Sequence, residues 1–357
     1  MRKKREKRYG SLYRISSVLG VLVAVSGFFA IILIIYSWHK SQSETIQALS
    51  LTMDTMYTEE ELQSRISNAV SDAKMETEES VRTALLEDIR AQLQEDKSVI
   101  SILRPMYPNE LIIASNGMYN FVPINDSLLK HSLIKDNLVL SEEGELTYEE
   151  DGNIVSKKGI DVSRYQGNID WDKVKSDGVD YAFIRVGLRG YGTGEINLDE
   201  KFERNIKDAY DAGVKVGVYF FSQAINVEEA IEEAEFVIEQ LKPYSDMVEY
   251  PVVIDVEKIS SGDGRMNNLT KEERTKVVLS FCERIEDEGY TPMIYANLEM
   301  FGLMLDMEPL EKIEKWYAYY DPTLYFPYDY KIWQYTSKGS VDGIKGEVDM
   351  NISFKEW

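Results

Sequence analysis

The segment PVVIDVE, at residues 251–257, is an apolar run that ends in two closely spaced acids, Asp255 and Glu257. Continuous apolar runs of this length are typical of strands buried on both faces of a parallel sheet. Seven further runs of similar character lie between residues 159 and 351. They are GIDVS (159–163), YAFIRVG (181–187), VKVGVYFF (214–221), PMIYAN (292–297), WYAYY (316–320), YKIWQY (330–335) and EVDMN (347–351).

Amphipathic helical segments separate the earlier strands, at residues 199–212, 227–241 and 270–288. Strands that alternate with helices imply a parallel sheet. Eight strands within about 200 residues predict an α/β fold, a compact (β/α) barrel with reduced helices in its second half, over residues 157–357. An open doubly wound sheet is the alternative, but no glycine-rich phosphate loop follows the first strand.

An uncharged segment, ISSVLGVLVAVSGFFAIILIIYSW, occupies residues 15–38. It exceeds the roughly 20 residues that span a bilayer, and it is longer than the apolar part of a cleaved signal peptide. Residues 1–14 are strongly basic, which favours the cytoplasmic side. We expect a cytoplasmic tail at 1–14, a single transmembrane helix at 15–38, and an extracellular remainder held at the cell membrane.

Two segments connect this helix to the barrel. Residues 39–104 are polar, with apolar residues at helical spacing and a capping-box pattern at Thr58 and Glu61, and they predict a helical stalk. The apolar stripe is thin, and it also permits a homodimer through a coiled coil. Residues 105–156 alternate short β-like runs with turn signals, such as Asn116-Gly117, and predict a small β-rich connecting module.

Composition excludes several classes of function. The formal net charge is −22, and such an acidic chain repels phosphates, so no nucleic-acid partner is expected. One cysteine and two histidines give poor support for a zinc peptidase, an amidase or a Ser-His-Asp hydrolase. We interpret Cys282, within a helical segment, as a buried small apolar residue.

Four acids lie at predicted strand ends, where barrel enzymes carry their chemistry: Asp161, Asp255, Glu257 and Asp349. Asp255 and Glu257 are two residues apart, so they share one face of the strand with Cα atoms about 6.6 Å apart. Composition alone would produce such acid pairs about eleven times, so the position after an apolar run is what carries information. Paired carboxylates suit glycoside hydrolysis, in which one group donates a proton and another stabilises positive charge.

Aromatic residues lie at the same strand ends. Stacking on sugar faces and ordinary core packing both explain such rings. They are Tyr219, Phe221, Tyr295, Tyr320 and Trp333.

At these residues the chain resembles the family 25 glycoside hydrolases, the lysozymes of the Chalaropsis type. The resemblance covers about residues 158–354, and it includes GIDVSRYQGNIDW, YPVVIDVE and IWQYTSKGSVDGIKGEVDMN. It implies cleavage of the β-1,4 bond between N-acetylmuramic acid and N-acetylglucosamine in peptidoglycan glycan strands, without a metal or other cofactor.

The resemblance also implies roles for individual residues. Glu257 would be the general acid, and Asp255 would stabilise the transition state directly or through the substrate's 2-acetamido group. Asp161 and Asp349 would orient the sugar and tune the pKa values of their neighbours. Substrate-binding positions would be Tyr219, Tyr295, Gln334 and Tyr320. Many members carry His at the position of Phe220, which would make that wall of the groove apolar here.

Two functional classes remain at this point. The leading one is a membrane-anchored muramidase that remodels or locally opens the cell wall. The alternative is a non-catalytic scaffold that binds peptidoglycan through the barrel. Spacing alone permits either a retaining or an inverting reaction, and retention is implied only by the resemblance.

Overall fold

A computed structural model describes residues 58–260 and 264–357, and the chain divides into two compact units, Met1–Arg90 and Ala91–Trp357. The predicted cytoplasmic tail, the predicted transmembrane helix at 15–38 and the start of the predicted stalk lie outside the described residues. Among the helices of the described part, none combines the length and apolarity needed to cross a membrane.

The predicted stalk is helical from Glu59 to Gln94, which we call α1. It begins with the predicted capping box, because the Thr58 amide donates to Glu61 and the Glu61 amide donates to the Thr58 hydroxyl. No residue of α1 is buried. The helix ends before the expected boundary at 104, since Asp96 has a positive φ of 58° and Ser98 caps a separate helix, α2 (Val99–Leu103).

The predicted β-rich module contains two small antiparallel sheets. Strands β1 and β2 pair in one, and β3, β4 and β5 in the other. Positive φ angles at Asn116 and Gly117, and again at Asp151 and Gly152, fit two-residue hairpin turns at the predicted turn signals. The strands are β1 (Glu110–Ser115), β2 (Met118–Pro123), β3 (Leu138–Leu140), β4 (Leu146–Glu150) and β5 (Asn153–Ile154).

The rest of the chain forms the predicted barrel. Its strands are β6 (Lys157–Val162), β7 (Tyr181–Arg189), β8 (Ile196–Leu198), β9 (Lys215–Phe221), β10 (Val248–Asp255), β11 (Pro292–Asn297), β12 (Glu314–Ala318), β13 (Ile332–Gly339) and β14 (Val348–Ser353). Eight of them close a ring in the order β6, β14, β13, β12, β11, β10, β9, β7, and β7 pairs again with β6. Strand β8 pairs antiparallel with β7 outside this ring.

Helices cover the first half of the barrel and are largely replaced by irregular structure in the second. They are α3 (Trp171–Ser176), α4 (Phe202–Asp211), α5 (Val227–Leu241) and α6 (Lys271–Asp287). The last three agree with the predicted segments to within a few residues. Cys282 lies in α6 and is buried, as predicted.

The sheet is not parallel throughout. Strand β14 runs antiparallel to both of its neighbours, β13 and β6. Only residues 340–347 separate β13 from β14, whereas a parallel crossover needs about a dozen residues or more. The expectation that Asp349 ends its strand is therefore wrong: Asp349 lies near the start of β14, and the reversed direction brings it to the same edge of the barrel as the other acids.

Large aromatic side chains fill the barrel interior. Tyr181, Phe183 and Trp316 are buried there, with Phe183 stacked on Trp316 at 4.4 Å between ring centroids. Two glycines make room for these rings: a Cβ on Gly159 would lie 2.1 Å from the Tyr181 ring, and one on Gly217 would lie 2.4 Å from Phe183. These packed aromatic side chains fill the barrel interior below the edge that carries the acids.

Candidate active site

Two of the predicted acids face each other across adjacent strands. Asp349 and Asp161 are directly paired between β14 and β6, which places their Cβ atoms about 5 Å apart. Asp161 is buried and accepts hydrogen bonds from Gln334 Nε2 at 2.9 Å and Asn351 Nδ2 at 2.8 Å, both to Oδ2. These bonds fix the orientation of the Asp161 carboxyl group.

The donors to Asp161 are themselves fixed in orientation. Gln334 Oε1 accepts from the hydroxyls of Tyr295 and Tyr320, each at 2.8 Å, so its amide nitrogen turns toward Asp161. Asn351 Oδ1 accepts from the Trp316 indole at 2.8 Å, and an indole N–H can only donate. Three of the four predicted substrate-binding residues, Tyr295, Gln334 and Tyr320, thus belong to one hydrogen-bonded network around Asp161.

The other two acids come from strand β10 and the residues that follow it. Asp255 is the last residue of β10 and is only 6% exposed, and its Oδ1 is buried without a hydrogen-bond partner. Glu257 follows two residues later, beyond the end of β10 and not on the strand as predicted, and it is half-buried. The positive charge of the Arg185 guanidinium opposes the rise in the pKa of Asp255. Arg185 also forms an ion pair with Asp199 at 2.7 Å.

We call Asp161, Asp255, Glu257 and Asp349 the acid cluster. Burial is the main cause that raises the pKa of each of its members. The Asp349 charge adds to the shift at Asp161, and the Glu257 charge adds to it at Asp255. The pKa of Asp349 rises to about 6. A carboxyl group whose pKa is raised in this way is suited to act as a general acid, while a neighbour that is ionised can stabilise positive charge.

The aromatic residues divide between two sides of the sheet. Tyr219 packs in the interior against Trp316, with ring centroids 6.4 Å apart, and its pKa is raised by burial and by the Asp161 charge. Tyr320 is 56% exposed. Phe220 does not face the groove as expected, because it is fully buried outside the barrel wall against Phe236 of α5.

Three residues of the site were not predicted from the sequence: Asn351, Trp316 and Arg185. Asn351 had a usable signal, since it lies two residues after Asp349 and shares its face of the strand. Trp316 and Arg185 had no comparable signal, because their roles depend on partners in distant strands. Within residues 58–260 and 264–357, no three His, Cys, Asp or Glu side chains are arranged to hold a metal ion.

A cavity of about 530 Å³ opens beside the acid cluster. On the barrel side it is lined by Glu257, Tyr295 and Tyr320, and on the other side by residues of α2 and β1. The groove at the acids is therefore not made by the barrel alone.

Comparison with known proteins adds to this geometry. Residues 160–344, just over half of the chain, match the sequence model of Glycosyl hydrolases family 25. Lysozyme M1 from Streptomyces globisporus is 29% identical over 202 residues, which cover 54% of this chain and 66% of that protein.

Two solved structures share the fold. The modular autolysin LytC from Streptococcus pneumoniae, in complex with a synthetic peptidoglycan ligand, is 25% identical with a TM-score of 0.50, over 68% of this chain and 57% of that chain. The spore cortex lytic enzyme SleM from Clostridium perfringens is 24% identical with a TM-score of 0.50, over 57% of this chain and 69% of that chain. The chain thus spans just under two thirds of lysozyme M1 and less of LytC.

Proposed function

Because this chain belongs to glycosyl hydrolase family 25, we propose that it is a muramidase that hydrolyses the β-1,4 bond between N-acetylmuramic acid and N-acetylglucosamine in peptidoglycan. The observation that carries the proposal is the acid cluster at the open edge of the barrel, with Asp255 buried beside Glu257 and lacking a full set of partners. The LytC structure, whose ligand is a synthetic peptidoglycan, supports the choice of substrate.

In the proposed reaction, Glu257 is the general acid. It donates its proton to the glycosidic oxygen while the bond from that oxygen to the sugar C1 breaks, which releases the N-acetylglucosamine chain with a free hydroxyl. Asp255 stabilises the positive charge that develops at C1, either directly or by orienting the oxygen of the substrate's 2-acetamido group for attack on C1. Water then adds to C1 and returns a proton to Glu257.

The remaining acids and the tyrosines hold this arrangement in place. Asp161 and Asp349 orient the muramic acid ring and keep the pKa values of their neighbours high. Tyr295 and Gln334 are too buried to offer much surface to a sugar, so their proposed role is to position Asp161. Tyr320 offers an exposed ring for stacking, whereas Tyr219 packs against Trp316 and supports the site from the barrel interior. The two-step route predicts a retained anomer, and NMR of the first-formed product tests this.

We also propose a place of action. The uncharged segment at 15–38 would anchor the chain in the cell membrane with the barrel outside, and the anchor would restrict cleavage to nearby glycan. Such a tethered enzyme suits remodelling or local opening of the wall. Protease accessibility of the barrel on intact cells tests the orientation, because an outward-facing barrel is digested without lysis.

The test of the activity uses the full chain in detergent micelles with purified peptidoglycan. New reducing ends are identified by mass spectrometry. Reducing N-acetylmuramic acid ends support the muramidase, whereas reducing N-acetylglucosamine ends indicate the other glycosidic bond. If the chain binds peptidoglycan but releases nothing, the barrel is a glycan-binding scaffold.

A further inference from the structure

The β-rich module is part of the same packed body as the barrel. Leu111 and Ile113 of β1, together with Leu128 and Leu146, are buried in the hydrophobic core that the barrel forms with its helices. These residues lie before residue 160, where the family match begins. The module therefore adds a wall that the matched region does not contain.

Polar contacts hold this wall against the mouth of the barrel. The Arg104 guanidinium lies 3.4 Å from the centre of the Tyr325 ring, donates to the Tyr319 hydroxyl and lies 3.7 Å from the Asp321 carboxylate. At the hairpin tip, Lys258 Nζ donates to Asn116 Oδ1 and to Glu299 Oε1, both at 2.8 Å. Since Lys258 directly follows Glu257, the hairpin is tied to the chain next to the proposed general acid.

The cavity between this wall and the barrel has the chemistry of a sugar site. The wall contributes the half-buried Ile100 and the exposed Ala114, while the barrel contributes Tyr320 and the exposed Asn297. A pyranose ring has apolar faces and a rim of hydroxyl groups, so it matches a site of aliphatic and aromatic surface with polar edges. The volume of about 530 Å³ lies within the usual range for small-molecule sites, about 300–1,000 Å³.

The position of the cavity selects which sugar would occupy it. Glu257 lines the cavity, whereas Asp161 and Asp349 do not. A general acid must reach the oxygen of the leaving group, so the cavity lies on the leaving-group side of the bond. We propose that α2 and strand β1 complete a subsite for the N-acetylglucosamine unit on the leaving-group side of the cut, so that their cavity-lining residues contribute to recognition of the glycan chain that departs. This inference rests on the proposed muramidase activity.

Ala114→Phe in the full chain is the decisive variant, because Ala114 lines the cavity and is exposed. Two substrates are compared: isolated glycan strands, and a 4-methylumbelliferyl glycoside of the GlcNAc–MurNAc disaccharide, in which a small planar group replaces the departing chain. We expect kcat/KM on glycan strands to fall about tenfold more than kcat/KM on the aryl glycoside, mainly through KM, since binding to the departing chain is lost. Ala114→Leu should give a smaller change in the same direction.

Met118→Phe is the matched control, since Met118 lies on the same hairpin, is 63% exposed and does not line the cavity. It should leave both kcat/KM values at the wild-type level. Equal losses on the two substrates, or no loss with either Ala114 variant, would overturn the subsite. A wild-type chain that cleaves neither substrate would instead overturn the proposed muramidase, and the subsite with it.

Discussion

The barrel domain carries buried carboxylates in two different surroundings, the acid cluster and the site of Glu233. Outside the acid cluster, Glu233 of α5 is fully buried, and both of its oxygens are hydrogen-bonded. Its Oε1 accepts from Arg189 Nε at 2.7 Å and from the Gln223 amide at 3.3 Å, and its Oε2 accepts from the Ser222 hydroxyl at 2.6 Å. In the acid cluster, by contrast, Asp255 keeps a buried oxygen without a partner.

On the proposed mechanism, this difference separates a structural carboxylate from a reactive one. Burial raises the pKa of Glu233, hydrogen bonds from Ser222 and Arg189 oppose that rise, and the resulting pKa is about 7. At Asp255 the charges of Glu257 and Asp161 add to the effect of burial. We infer that the Glu233 network, consisting of Glu233, Arg189, Ser222 and Gln223, serves stability, while the acid cluster holds buried carboxyl groups whose charges repel one another, at a cost in stability.

The largest expected effect is that of Glu257→Gln. Glutamine has no transferable proton, so kcat on peptidoglycan should fall by about 10²–10⁴-fold, the usual contribution of general acid–base catalysis. The fold should persist, because Glu257 follows β10 and is only half-buried. Release of reducing ends measures activity, and thermal unfolding is the control. A variant that retains near-wild-type kcat would remove Glu257 from this role.

Arg189→Leu should disrupt the Glu233 network by removing the ion pair between Arg189 and Glu233. It leaves Glu233 buried without its cation, and loss of one partner of a buried pair lowers the free energy of unfolding by about 3–5 kcal/mol. Urea denaturation measures the change. The double variant Arg189→Leu/Glu233→Leu should recover part of the loss, because no unpaired charge remains buried. A single-variant loss below about 1 kcal/mol would show that Arg189 does not stabilise Glu233.

Near neutral pH, Asp349→Asn should raise the free energy of unfolding, whereas Arg189→Leu should lower it. The folded-state pKa of Asp349 is about 6, above its ordinary value of 3.8. The folded state therefore binds this proton more tightly, and the corresponding stability is fully present below pH 3.8 and lost as the pH rises through 6. Above pH 6, the free energy of unfolding of the variant should exceed that of the wild type by up to about 3 kcal/mol.

Urea denaturation between pH 3.5 and pH 7.5 tests this prediction. The advantage of the variant should shrink toward zero below about pH 4, where the Asp349 carboxyl is protonated in both the folded and the unfolded states. Activity should fall even where stability rises. A difference in stability that does not change with pH would show that Asp349 titrates normally in the folded protein.

Local residues predict the eight strands that close the barrel, though not β8, and they place the four acids near strand ends. Apolar runs such as PVVIDVE predict the strand, and alternation places Asp255 on the same face as Val253 in the barrel interior once the structure shows which face is inside. The direction of β14 depends on the length of the connection from β13, and interpreting each strand by itself does not take that length into account. Phe220 was assigned to the groove, although Tyr219 beside it shows by alternation that Phe220 must point outward.

The packing of the β-rich module could not be predicted. Its strands and turns follow from local residues, but its contacts join Arg104 to Tyr325 and Asn116 to Lys258, positions far apart in sequence. The residue pattern of one segment predicts its own strands and turns, but it does not predict the distant surface against which that segment packs. For the same reason, the role of Trp316 could not be predicted, because it depends on Asn351 in a different strand.

The smallest expected effects come from deleting one hydroxyl beside the acid cluster and one in the Glu233 network. Tyr320→Phe removes one of two donors to Gln334 Oε1, while Tyr295 keeps the amide oriented toward Asp161. Since one hydrogen bond contributes about 1 kcal/mol, kcat should fall only about two- to tenfold, with little change in stability because Tyr320 is exposed.

Ser222→Ala removes a single donor to Glu233 in the same way. It should lower the free energy of unfolding by about 1–3 kcal/mol, since a buried carboxylate oxygen is left unpaired, and should leave kcat unchanged. Urea denaturation measures the stability of both variants, and release of peptidoglycan fragments measures their kcat. If Ser222→Ala lowers kcat as much as Tyr320→Phe does, the Glu233 network acts on the reaction and is not functionally separate from the acid cluster.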